Sequence, residues 1–141
     1  MESIKIFSIT KKLNNDLTTP IAAYLKLNEV DAFFLESVEK GEAVGRYSMI
    51  GLEPFIKVQG YDDYMALLRD GTKTILDGDP LNNLNLFYKN MTHIQQGETP
   101  VKNGFFGYFS WEVIGAIESI DIQRQSNQLF EFHGYIEGNH I

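Results

Sequence analysis

The chain contains no cysteine, so neither a disulfide framework nor a thiolate metal site is available to it, which fits a cytosolic setting. Positive charge is scarce as well. Its 12 Lys and Arg face 19 Asp and Glu, a formal charge of −7. That balance argues against nucleic acid or an anionic membrane as a partner, because both call for a basic surface. No apolar run approaches the roughly 20 residues of a membrane span. The opening Met1-Glu2-Ser3-Ile4-Lys5 lacks the charged-then-apolar order of an export signal. The expectation is a soluble, cytoplasmic protein. Histidine is limited to His93, His133 and His140, without the close pairing of a metal site, so they read as surface or structurally satisfied residues. There is no internal repeat, no low-complexity tract and no glycine-rich nucleotide signature after a strand.

What is present suits a globular domain. Hydrophobic residues make up 43% and charged residues 22% of 141 positions, enough to bury a core within one domain spanning 1–141. Ten Phe and seven Tyr imply that large side chains fill much of the interior.

Local patterns place the elements. Ser3 to Thr10 is rich in β-branched residues and reads as a strand. Asn14-Asn15-Asp16 marks a turn. Thr19-Pro20 has the order of an N-cap followed by proline in the first helical position, predicting a helix to about Leu27. Ala32–Glu36 and Phe55–Gln59 are predicted strands. Asp70-Gly71 between Met65-Ala66-Leu67-Leu68 and Thr72-Lys73-Thr74-Ile75-Leu76 predicts a hairpin. Asp79-Pro80 opens a helix that Leu81, Leu84, Phe87, Tyr88, Met91 and Ile94 extend along one face, as far as Gly97. His93 then falls near its end. Gly104–Phe109 is an aromatic strand, and Gly104 and Gly107 serve close backbone packing in a sheet. Ser110 is placed to cap a last helix carrying Trp111, Ile114 and Ile117, with Trp111 expected in the core. A polar loop leads to a final strand, Leu129–Ile136. Asp62-Asp63 and Asp77-Gly78-Asp79 lack the ligand succession of a calcium loop and read as turns and a helix cap. Strands and helices interleave without a strict βαβ rhythm. The fold class expected is α+β, a layered, mostly antiparallel sheet with flanking helices.

The richest stretch is Phe34 to Pro54. An apolar run, Ala32 to Leu35, meets a polar loop at Glu36 and Ser37; the loop carries Arg46 and returns to an apolar run at Met49-Ile50. A carboxylate, a hydroxyl and a guanidinium gathered at strand ends can receive a zwitterion such as an amino acid. The same spacing also fits a plain hairpin whose polar residues face water. Glu36 and Arg46 could equally form a local ion pair.

Leu35-Glu36-Ser37 followed by Gly45-Arg46-Tyr47-Ser48-Met49-Ile50-Gly51-Leu52-Glu53-Pro54 resembles the amino-terminal region of anthranilate synthase component I. Gly104-Phe105-Phe106-Gly107-Tyr108-Phe109, leading into Trp111-Glu112-Val113-Ile114, is similar to a second block of that family, although Trp111-Glu112 stands where tyrosine-aspartate is more usual. The resemblance runs from about Ile4 to about Glu118. It implies the amino-terminal portion of a larger two-layer subunit that converts chorismate to anthranilate in tryptophan biosynthesis. The family's catalytic acids and its Mg2+ site belong to a carboxy-terminal half that no part of this sequence matches. The resemblance therefore implies a chain that is inactive alone and binds no Mg2+ itself. It also implies a tryptophan feedback site, mapping onto Leu35, Glu36, Ser37 and Arg46. The partners implied are the carboxy-terminal chorismate-binding half and a glutamine amidotransferase subunit. Two rival readings are the same region of aminodeoxychorismate synthase and a stand-alone ligand-binding module without catalysis.

Overall fold

The computed structural model describes residues 4–9, 11, 14, 17–28, 30–36, 48–96, 104–118, 120–123 and 125–135. Its centre is a five-stranded antiparallel sheet built from β4 (Ile56–Tyr61), β5 (Tyr64–Arg69), β6 (Thr72–Asp77), β8 (Gly104–Phe109) and β9 (Gln128–Tyr135), in the order β6-β5-β4-β9-β8. Two smaller ladders flank it. β1 (Ile4–Ile9) pairs in parallel with β7 (Met91–Gln96), and β2 (Phe33–Glu36) pairs antiparallel with β3 (Ser48–Gly51). Helices α1 (Pro20–Leu27) and α2 (Pro80–Lys89), with a short α3 (Ile114–Ile117), complete an α+β fold.

Strand alternation assigns the two faces of the central sheet. On β4, Ile56, Val58 and Gly60 are buried while Lys57, Gln59 and Tyr61 point to the opposite side. The first set joins Met65, Leu129 and Phe130 beneath Phe87 of α2 to form the core, with Phe105, Val113 and Phe132 packed around it. Gly60 lies under Phe130, and a Cβ there would run into the Phe130 ring. Gly107 is similarly pressed against the Glu131 carbonyl, the close approach expected of it, whereas a Cβ at Gly104 meets only ordinary contacts.

Several elements form where local chemistry asks for them. The Thr19 hydroxyl accepts from the Ala22 N–H at 3.3 Å, with Pro20 opening α1. The Asp79 carboxylate accepts from the Leu81 N–H at 2.9 Å at the start of α2, the helix cap predicted for it. Asp70 and Gly71 adopt φ of 50° and 75°, the pair of positive angles of a tight hairpin turn between β5 and β6. Gly71→Val, forcing a β-branched residue into that region, is expected to cost about 1–2 kcal/mol. A thermal melt should show it as a midpoint lowered by several degrees.

Four expectations are corrected. Helix α2 stops at Lys89, well short of Gly97. The Asn90 N–H bonds back to Leu86 and Phe87, and its side-chain amide donates to the Leu86 carbonyl at 3.0 Å, closing the helix. Met91 and Ile94 then belong to β7, as does His93, because pairing with β1 draws the segment into a ladder. Their three-residue spacing continued the helical period by coincidence. Tyr88 points outward and does not line the core.

Trp111 is 81% exposed. It opens a 3-10 turn, Trp111–Val113, in which Val113 instead packs against the core. Ser110 makes no side-chain cap; its hydroxyl donates to the Gln128 carbonyl at 2.9 Å, and its N–H to Leu129 at 2.8 Å, tying this turn to β9. Asn15 and Asp16 of the predicted turn lie outside the described residues.

Candidate functional site

The corner picked out by sequence is built on the β2–β3 ladder. Leu35 stands opposite Met49 and Glu36 opposite Ser48, the last described rung of the ladder; the loop that follows lies outside the described residues. Aromatic stacking anchors it on both sides. The Phe34 ring lies 5.5 Å from Tyr24 of α1, and Phe33 stacks on Phe106 of β8 at 4.0 Å. Gly51 is required beneath Phe33, since a Cβ there would collide with that ring.

Leu35 is 47% exposed and the Glu36 side chain faces solvent, so this end of the ladder is an accessible surface. Among the described residues, Glu36 accepts one hydrogen bond, from the Ser48 hydroxyl at 3.5 Å. That is a long contact for a hydrogen bond between a hydroxyl and a carboxylate. Ser37 and Arg46 lie outside the described residues. Of the four residues singled out, two are thus placed, as neighbours on one strand.

A second polar cluster occupies the sheet face opposite α2, and sequence reasoning passed over it. Glu131 of β9 accepts from the Gln59 amide at 2.7 Å, the Gln128 amide at 3.0 Å and the His133 ring at 3.0 Å. The Tyr61 hydroxyl donates in turn to Gln59 at 3.3 Å, and the Tyr61 ring stacks on Tyr64 at 4.6 Å. Burial by itself would raise the Glu131 carboxyl. The three donors, led by Gln59 and assisted by the charge of Lys57, outweigh it and hold the group at about 2. Tyr61 is shifted the other way, raised by burial and then by the neighbouring Tyr64, Glu131 and Tyr108.

A β-bulge makes this cluster possible. The β4–β9 register slips between Gly60 and Tyr61, so Gly60 faces Phe130 while Tyr61 faces Gln128. The extra residue, Leu129, turns inward with Phe130, and Gln128 comes round to the face of Glu131. With three of about four acceptor sites occupied, Glu131 is an anchoring anion. It ties β4 to β9 and is poorly suited to proton transfer, which needs a group that changes charge near neutral pH.

The described residues contain no group of three or more His, Asp or Glu able to hold a metal ion. Among the described residues, no helix is long and apolar enough to cross a membrane.

Comparison with known proteins gives a consistent answer. The chain is 32% identical over 117 residues to anthranilate synthase component 1 of Cereibacter sphaeroides, a match covering 77% of this chain and 23% of that protein. It is 33% identical over 108 residues to the component 1 protein of Synechocystis, covering 73% and 21% respectively. The Pseudomonas putida protein of the same name is 35% identical over 109 residues, covering 73% and 22%. The chain thus spans less than a quarter of the length of these curated relatives. No family model matches it.

Proposed function

The chain belongs to the anthranilate synthase component 1 family, whose amino-terminal region it matches, and on that premise we propose that it is the tryptophan-sensing portion of an anthranilate synthase large subunit. The observation that carries this reading is the agreement of three relatives at 32–35% identity over most of the chain. In the proposed assembly, chorismate and glutamine-derived ammonia give anthranilate, pyruvate and water. The chemistry, including Mg2+, belongs to the carboxy-terminal half, and a glutamine amidotransferase subunit delivers the ammonia. The 141-residue chain alone is inactive.

The contribution of this chain is a binding corner for the inhibitor. Tryptophan brings an ammonium, a carboxylate and an apolar indole, each of which needs a partner once water is displaced. Glu36 offers an exposed carboxylate to the ammonium. Leu35, the preceding residue, projects from the opposite face of the strand, so its part at this corner is through its backbone. Ser37 adds a hydroxyl and Arg46 a guanidinium suited to the ligand carboxylate. Ligation at this corner would be coupled to the distant catalytic half, with tryptophan favouring an inactive arrangement of the two halves.

A chimera tests this directly. The aligned segment of the Cereibacter sphaeroides subunit is replaced by this chain, and anthranilate is followed by its fluorescence with chorismate and ammonia. The chimera should form anthranilate and be inhibited by tryptophan, while the isolated chain forms none. Ser37→Ala in the chimera should weaken tryptophan binding, read by calorimetry, about tenfold, or about 1.4 kcal/mol. Unchanged affinity removes Ser37 from the site.

A further inference from the structure

The β1–β7 ladder is an unusual structure to leave at a surface. It is a parallel pair, and among the described residues no third strand joins it. Parallel sheets occur almost only with both faces covered, and a pair of strands has little stability by itself. One face meets that requirement: Ile6 is buried, and Ile4 and Met91 pack against the core. The other face does not. Phe7 is 66% exposed, Ile9 80% and Ile94 42%, and Phe7 stands directly opposite Ile94 in the register. Three large apolar side chains thus project from one side of a parallel ladder, a pattern expected of a covered surface.

We propose that this outward face of β1–β7 is the docking surface for the polypeptide that makes up the rest of a component 1 subunit, a proposal that rests on the family reading above. Two observations favour that occupant. The relatives carry more than three quarters of their length outside the matched region, so ample polypeptide exists in them to cover the face. A second copy of this chain is disfavoured because each copy carries a formal charge of −7, which opposes self-association. The occupant presents an apolar layer to Phe7, Ile9 and Ile94, and burying them there removes the exposed side of the parallel ladder from water.

Because the chain has no cysteine, a single introduced thiol reports on one position. Phe7→Cys and Ile94→Cys are made separately, in the isolated chain and in the chimera. Thiol labelling is timed by mass spectrometry of the peptide carrying the substitution. Tyr88→Cys on the exposed side of α2 is the control. Labelling at positions 7 and 94 should be at least tenfold slower in the chimera than in the isolated chain, with the control unchanged. Equal rates in a chimera that forms anthranilate would overturn the docking proposal and leave the family reading standing. A chimera that forms no anthranilate and protects neither position would overturn both. Protection already present in the isolated chain, together with a dimer in sedimentation, would assign the face to a second copy and overturn the proposal.

Discussion

Phe87→Ala is expected to destabilise the chain by about 3–5 kcal/mol, the range for removing a fully buried phenylalanine. Phe87 is the fully buried side chain that α2 contributes to the core, with the partly buried Leu81 and Leu84 packed beside it. It is 1% exposed, sits among Ile56, Val58, Met65, Leu129 and Phe130, and meets the Phe105 ring edge-on at 5.9 Å. Truncation loses the transfer free energy of the ring and leaves a cavity that rigid strands on the far side cannot close. A domain of this kind has on the order of 5–15 kcal/mol in total, so much of its stability would be lost. Urea unfolding followed by circular dichroism should show a midpoint lowered by roughly 1–3 M. Tyr88→Ala, one residue along on the exposed side, should stay within about 0.5 kcal/mol of the parent. Similar losses at both positions would mean that α2 does not pack through Phe87.

The difference between those neighbours was only partly legible in the sequence. The helical period put Leu81, Leu84 and Phe87 on one face correctly, but it also enrolled Tyr88, Met91 and Ile94. A period describes a helix only while the chain remains one, and Asn90 ends it. Nothing within residues 91–96 announces a strand that takes its partner from the other end of the sequence. Where the deciding chemistry is local, the reading succeeds: the Thr19-Pro20 and Asp79-Pro80 helix starts, and the Asp70-Gly71 turn. Trp111 fails for a different reason. Hydrophobicity argues for burial of the indole, yet in the short turn it opens it is Val113 that packs against the core.

The polar sites divide along the same line. Glu36 could be placed on the strand because the apolar run leads directly into it, and the antiparallel pairing sets it opposite Ser48. The Glu131 cluster could not. Its donors come from positions 59, 128 and 133, and simple alternation would place Gln128 and Glu131, three apart on one strand, on opposite faces. Only the bulge at Gly60 and Tyr61 reverses that, and a register slip between strands some 70 positions apart leaves no local signature.

The acid limb of stability should therefore bear the mark of Glu131. Its carboxyl sits at about 2 in the folded chain against an ordinary value of 4.5. The folded state binds its proton less readily than the unfolded state does. The resulting stability is fully present above about pH 4.5 and is lost as pH falls from there toward 2. With the side chain 22% exposed, solvent screening trims the contribution to on the order of 1–2 kcal/mol. Glu131→Gln keeps the shape but removes the charge and turns one acceptor oxygen into a donor, which faces either the Gln59 and Gln128 amides or the His133 ring, so the loss at pH 7 should be somewhat larger, about 2–3 kcal/mol. Below about pH 2.5 the parent carboxyl approaches neutrality as well, and the gap between the two proteins should narrow to about 1 kcal/mol. Unfolding free energies from urea titrations at intervals between pH 2 and 7 would trace this convergence. A gap that stays constant across the window would show that the interactions of Glu131 do not depend on its charge, and that the anion does not tie β4 to β9.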